Sequence, residues 1–136
     1  MNPTQIKLVK ESFEKLVPIK DQFANDFYNE LFRLDPSVRP LFKTDMASQK
    51  EKLVATLSFV IGALHNPAMI IGAIEELGKR HVNYGTKPEH YDTVGKALIH
   101  ALQKAQPHEM KGELLAAWLA AYTMISDIMK QAAYGK

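Results

Sequence analysis

Apolar residues in this chain recur at three- and four-residue steps almost from end to end, and no segment shows the strict alternation of a half-buried strand. That pattern confines the fold to helices. Ile6, Val9, Phe13 and Leu16 form the first apolar stripe, opened by Asn2 as a cap, Pro3 in the first turn and Gln5 where a capping-box partner belongs. Pro18 marks a corner into a second helix that carries Phe23, Phe27, Leu31 and Phe32. Asp35 and Pro36 restart the chain in the same cap-plus-proline style and lead into Val38, Leu41 and Phe42.

The polar stretch 43–48 reads as a loop. After it, Leu53, Leu57, Val60, Ile61 and Leu64 define a long amphipathic helix. Asn66 and Pro67 form a third cap-plus-proline pair and open a helix whose stripe runs through Ile70, Ile74, Leu77 and His81. The segment 82–87, with Gly85 and the following Pro88, is a connection. Tyr91, Val94, Leu98, Ile99 and Leu102 mark the next helix, and Pro107 divides it from the last, which carries Leu114, Trp118, Tyr122, Ile125 and Met129. The sequence thus predicts six helices and a short seventh around Pro36. No linker separates them, so residues 1–136 are expected to form a single all-α domain. Gly72 and Gly78 each weaken their helix by up to about 1 kcal/mol, which predicts a helix that is short, irregular or dependent on what it packs against.

Composition narrows the function. Hydrophobic residues make up 46% of the chain and charged residues 24%, as in an ordinary globular protein. A formal charge of +2 from scattered basic residues argues against nucleic-acid binding. The absence of cysteine excludes disulfides, thiolate metal sites and cysteine nucleophiles. No apolar run approaches the roughly 18 residues of a membrane span, and the first residues lack the apolar core of a signal peptide. A soluble, cytoplasmic protein without a membrane partner is the expectation.

Four of the five histidines have ordinary explanations. His65 ends a helix, His90 sits on a turn with Lys87 and Glu89, His108 follows Pro107, and His100 lies on a mixed face. His81 instead continues an apolar stripe, where a histidine is either a satisfied core residue or a ligand; periodicity leaves both open. Two further polar residues share apolar faces. Gln49 lies four positions before Leu53, and Tyr28 is adjacent to Phe27. Buried, they need partners: each other, a backbone carbonyl, or a small polar ligand held between them.

The segments FYNELFRLDPSVRPLF (27–42), QKEKL (49–53), LGKRHVNYGTKPEHYDTVG (77–95) and AWLAAY (117–122) together resemble the single-domain bacterial haemoglobins and the globin half of flavohaemoglobins, and the likeness covers essentially the whole chain. Pro36 and Phe42 stand six apart, as the globin proline and its haem-stacking phenylalanine do. The resemblance implies a globin fold of six to seven helices around a pocket for haem b, iron protoporphyrin IX. His81 would be the proximal iron ligand and Phe42 would lie flat on the porphyrin. Tyr28, Gln49 and Leu53 would line the distal pocket. Tyr91 would sit near the proximal histidine, Leu77 and Val94 against the macrocycle, and Lys52 near a propionate or in solvent.

Neutral imidazole suits iron, with its second nitrogen oriented by a carbonyl such as that near Leu77. Tyr28 and Gln49 can both donate to the partial negative charge on the outer atom of held dioxygen. Flavohaemoglobins have a glutamate in the last helix that completes a proximal network, whereas this chain has Ala133, with Tyr134 next. Without that carboxylate the imidazole is fairly neutral and better suited to holding a gas than to breaking its bond. The resemblance therefore implies reversible binding of dioxygen, nitric oxide or carbon monoxide. Its alternatives are nitric oxide dioxygenation with an external reductase, since the sequence ends at Lys136, and a globin-shaped sensor or interaction module.

Overall fold

Six helices make the framework of the computed structural model, which describes residues 1–43, 45–83 and 85–135 except the side chains at 67 and 83. In chain order they are α1 (Pro3–Leu16), α2 (Lys20–Leu34), α3 (Met46–Gly62), α4 (Pro67–Asn83), α5 (His90–Ala105) and α6 (Gly112–Tyr134). Two short 3₁₀ turns, Val17–Ile19 and Pro36–Leu41, bend the chain before and after α2. The connections predicted over 43–48 and 82–87 each include one residue outside the described set, Thr44 and Tyr84.

The caps read from the sequence act as predicted. The Gln5 backbone N–H donates to the Asn2 side chain at 2.8 Å, and the Asn2 N–H returns a bond to Gln5 Oε1 at 3.2 Å. Asp35 accepts from the Ser37 N–H at 3.1 Å, opening the turn that carries Pro36 and the buried Val38. The predicted loop 43–48 is shorter than its polarity suggests. Asp45 accepts from the Ser48 N–H at 2.9 Å and starts α3 at Met46, so the polar residues form a capped first turn.

One cluster of buried apolar side chains draws on all six helices. A buried polar knot ties its far ends together. The Ser12 hydroxyl donates to Gln106 Oε1 at 2.6 Å, Gln106 Nε2 donates to the Ser12 carbonyl at 2.9 Å, and the Trp118 indole N–H donates to the Ser12 hydroxyl at 3.0 Å. Each group finds a partner, so the knot does not carry the penalty of an unmade hydrogen bond.

The packing pairs decide where the open space lies. α2 lies on α5, α4 on α6, and α3 against α1 and α2. The helix α4 is neither short nor irregular despite Gly72 and Gly78. An ideal Cβ on Gly78 would stand 2.5 Å from the Met129 carbonyl oxygen and 2.8 Å from its Cα, so the missing side chain lets the two backbones approach. Gly72, with nothing within 4 Å, has no such role. Although α3 and α4 are consecutive, they make little contact with each other. A cavity of about 250 Å³ lies between them, lined by Ala55, Phe59 and Val60 of α3 and Ala73, Ile74 and Leu77 of α4. No helix among the described residues is long and apolar enough to cross a membrane.

Candidate functional site

His81 lies in the last turn of α4, half-buried, with Nδ1 2.7 Å from the Leu77 carbonyl oxygen. A carbonyl only accepts, so Nδ1 carries the proton and Nε2 keeps its lone pair. Burial lowers the His81 pKa below the ordinary 6.5, against a smaller opposing effect of the Leu77 hydrogen bond, and nearby Arg80 lowers it further. The ring is therefore neutral at pH 7. Its centroid is 6.5 Å from that of Tyr91, the second residue of α5.

Tyr91 is 5% exposed, yet its hydroxyl has no hydrogen-bond partner among the described residues. Burial pushes the phenol up to about 12, with the neighbouring Tyr134 adding to the shift. Two tyrosines of α6 fasten the backbone around it. The Tyr122 hydroxyl donates to the Tyr91 carbonyl and the Tyr134 hydroxyl to the Thr86 carbonyl, both at 2.5 Å. Sequence periodicity marked Tyr122 as core and Tyr134 only as the neighbour of Ala133. Neither role was readable, because each hydroxyl meets a carbonyl far away in the chain.

Tyr28 and Gln49 form the second group. Tyr28 is 3% exposed on α2. Gln49 Nε2 donates to its hydroxyl at 3.3 Å, and that hydroxyl reaches the Gln49 carbonyl oxygen at 3.4 Å. Burial raises the Tyr28 phenol to about 12, only partly offset by the Gln49 side chain. Phe42, at the end of the Pro36–Leu41 turn, stands edge-on to Tyr28 with centroids 5.5 Å apart and an interplanar angle of 84°. Phe32 packs against Phe42 at 5.5 Å, and the Arg39 guanidinium covers the Phe32 ring. Arg39 also donates to the Phe42 carbonyl at 3.4 Å, which steadies the turn.

Leu53 on α3, Leu77 on α4 and Val94 on α5 pack at the edge of the core but remain half-buried, as does Phe42. Lys52 is exposed. The structure thus joins Tyr28 to Phe42 and Gln49 in one group, and His81 to Leu77 and Tyr91 in another.

The remaining histidines are mostly as expected. His65, His100 and His108 are exposed, with Lys10 Nζ 3.2 Å from His65 Nδ1 and Glu30 3.9 Å from His100. His90 differs. It is the first residue of α5 and half-buried, its Nδ1 accepts the Lys87 N–H at 3.0 Å, and its Nε2 lies 3.9 Å from Asp35. The contact links the turn bearing Phe42 to the helix bearing Tyr91. Gly85, with φ +88°, passes close beneath Leu41 in the same region.

Comparison with known proteins gives a consistent likeness. The globin family model matches residues 25–129. Over 134 residues the chain is 31% identical to a flavohemoprotein of Xylella fastidiosa, covering 95% of this chain and 33% of that protein. A flavohemoprotein of Bacillus subtilis is 28% identical over 125 residues, with 90% of this chain and 31% of that protein covered. The chain therefore spans about a third of the length of the curated relatives it matches. Among solved structures, a bacterial globin from Campylobacter jejuni superposes with a TM-score of 0.80 at 27% identity, covering 96% of this chain and 97% of that one. An engineered carbene transferase from Rhodothermus marinus superposes with a TM-score of 0.84 at 24% identity, covering 95% of this chain and 90% of that one, a likeness of fold.

Proposed function

The chain belongs to the globin family, and from that premise we propose that it is a haem protein, one globin domain over residues 1–136, that reversibly holds a diatomic gas, chiefly dioxygen. Haem b is the form this reading assigns. The residues present fit it. Phe42, Leu53, Leu77 and Val94 are apolar side chains left half-buried at the edge of the core, and Leu77 also lines a cavity between α3 and α4. They offer a flat apolar group the cover they themselves lack.

The observation that carries the reading is His81: a neutral imidazole at the end of an apolar stripe, oriented by the Leu77 carbonyl at Nδ1, so that Nε2 is the nitrogen that would meet iron. Haem would supply an iron able to take a diatomic gas. The chain does the rest. The Leu77 carbonyl fixes the tautomer and swing of the His81 ring. Phe42 would lie against the porphyrin, and Leu53 and Val94 would keep bulk water out. Lys52 is free in solvent to reach a propionate. Tyr28, a protonated phenol at every physiological pH, and the Gln49 amide are the donors that would hold the gas. A second reading draws on the likeness to flavohemoproteins: nitric oxide and dioxygen combine to nitrate, with one electron drawn from an external reductase.

Titration of the purified chain with haemin tests the main reading. One equivalent is expected to give an intense Soret band, His81→Gly to lose it, and added imidazole to restore it. A chain that stays colourless with excess haemin would overturn the assignment. Mixing the dioxygen-loaded protein with nitric oxide and measuring nitrate tests the second reading.

A further inference from the structure

His81 sits in the last turn of α4, and helix ends fray because their final carbonyls have no intrahelical partner. Here those carbonyls are met in order. The Gly85 N–H donates to the Val82 carbonyl and the Thr86 N–H to the His81 carbonyl, each at 3.0 Å, with Gly85 at φ +88°. That pair of bonds around a left-handed glycine closes the helix, and His81 supplies the carbonyl for the longer of the two. The Thr86 carbonyl in turn accepts the hydroxyl of Tyr134, the last residue of α6. We propose that Tyr134 is a positioning residue for His81: acting through Thr86, its hydroxyl fixes the end of α4 and so the direction from which the imidazole would meet iron. The proposal rests on the haem reading above.

Three observations carry it. First, His81 lies between two points at which α6 holds the chain. Before it, Gly78 brings the α4 backbone against Met129, with an ideal Cβ only 2.5 Å from the Met129 carbonyl oxygen. After it, Tyr134 holds Thr86. A helix end fixed on both sides of one residue neither turns nor slides there. Second, the cap also meets the turn that leads to Phe42, since an ideal Cβ on Gly85 would stand 3.1 Å from Leu41 Cδ2. Third, the Tyr134 ring is half-buried against the core, whereas its hydroxyl ends on the connection behind His81. Packing needs only the ring; the hydroxyl adds a directional bond.

Tyr134→Phe removes the hydroxyl and keeps the ring. In the full chain without cofactor, amide exchange at Gly85 and Thr86 is expected to speed by up to about tenfold, the effect of one lost hydrogen bond. In the full chain loaded with haem and reduced, the iron–histidine stretching band in the resonance Raman spectrum is expected to shift and broaden. Loss of haemin to excess albumin is expected to speed by up to about tenfold. Val9→Ala opens a cavity in the buried face of α1 and serves as the control for a general loss of stability. A tyrosine that only ties down the end of α6 would lower stability in the same way and leave the imidazole unchanged, so the control is expected to keep the wild-type stretching band.

A wild-type stretching band in Tyr134→Phe would overturn the positioning role, as would an equal shift in Val9→Ala or unchanged amide exchange at Thr86. A wild-type chain that takes up no haemin would overturn the haem reading and the role toward iron with it. The exchange measurement, made without cofactor, tells that failure apart from a failure of the Tyr134 contact itself.

Discussion

The Gln49 side-chain amide donates to the Tyr28 hydroxyl at 3.3 Å, and that hydroxyl lies 3.4 Å from the Gln49 carbonyl oxygen, so each residue holds the other at the long end of hydrogen-bonding range. Long contacts are readily exchanged for a better acceptor. Tyr28→Phe and Gln49→Leu should each remove roughly 0.5–1.5 kcal/mol of stabilisation from the held dioxygen and speed its loss up to about tenfold. Because the two groups touch, the double variant should lose less than the product of the single effects. Stopped-flow displacement by carbon monoxide measures all three. Unchanged rates in both single variants would remove the pair from the gas site.

Tyr91→Phe should cost the cofactor-free chain nothing. Its hydroxyl is buried without a partner among the described residues, so removing it relieves a desolvation penalty and breaks no bond. Urea denaturation should give stability equal to or above wild type. A loss of more than about 1 kcal/mol would mean that the hydroxyl is engaged.

The two glycines of α4 should respond in opposite directions to alanine. At position 78 the new methyl meets the Met129 backbone at 2.5 Å, and the helices must separate. A loss of roughly 1–3 kcal/mol is expected, outweighing the gain in helix propensity. At position 72 nothing lies within 4 Å, so alanine should raise stability by up to about 1 kcal/mol. Thermal unfolding of the two variants checks the contrast, and equal shifts would contradict the close approach of α4 and α6.

Alkali should weaken the fold before it ionises the buried phenols. Tyr28 and Tyr91 are held up to about 12 in the folded chain, against 10.0 for an ordinary phenol. Above pH 10 the unfolded chain therefore binds fewer protons than the folded one, and stability falls as pH rises toward about 12. Absorbance at the phenolate band should show these two tyrosines, together with the still more strongly raised Tyr122, titrating last or with unfolding. Tyr28→Phe should flatten the alkaline loss of stability; an identical pH profile in the variant would exclude Tyr28 as its source.

Much of the candidate site is visible in local pattern. His81 announces itself because a histidine at the next four-residue step after Ile70, Ile74 and Leu77 must face where they face. Its hydrogen bond to Leu77 follows from the same helical geometry, one turn apart. Tyr28 and Gln49 were recognisable as polar residues on apolar faces. That they would choose each other was one of several open partnerships, and 21 residues of sequence separate them. The start of α3 was misread because a capped first turn and a polar loop share a composition. The partners of His90 were not legible, because its acceptor role depends on the loop before it and its second nitrogen faces Asp35 across the fold.

By itself the sequence determined the helices, their caps and the histidine at the end of the stripe, because periodicity, prolines and caps act within a turn or two of chain. Only the tertiary structure decided which helices touch. Gly78 beneath Met129, Ser12 knotted to Gln106 and Trp118, Tyr122 and Tyr134 pinned to distant carbonyls, and the cavity left between α3 and α4 all depend on surfaces meeting across tens of residues. Such meetings are set by the fit of one helix face against another, and no local pattern encodes that fit.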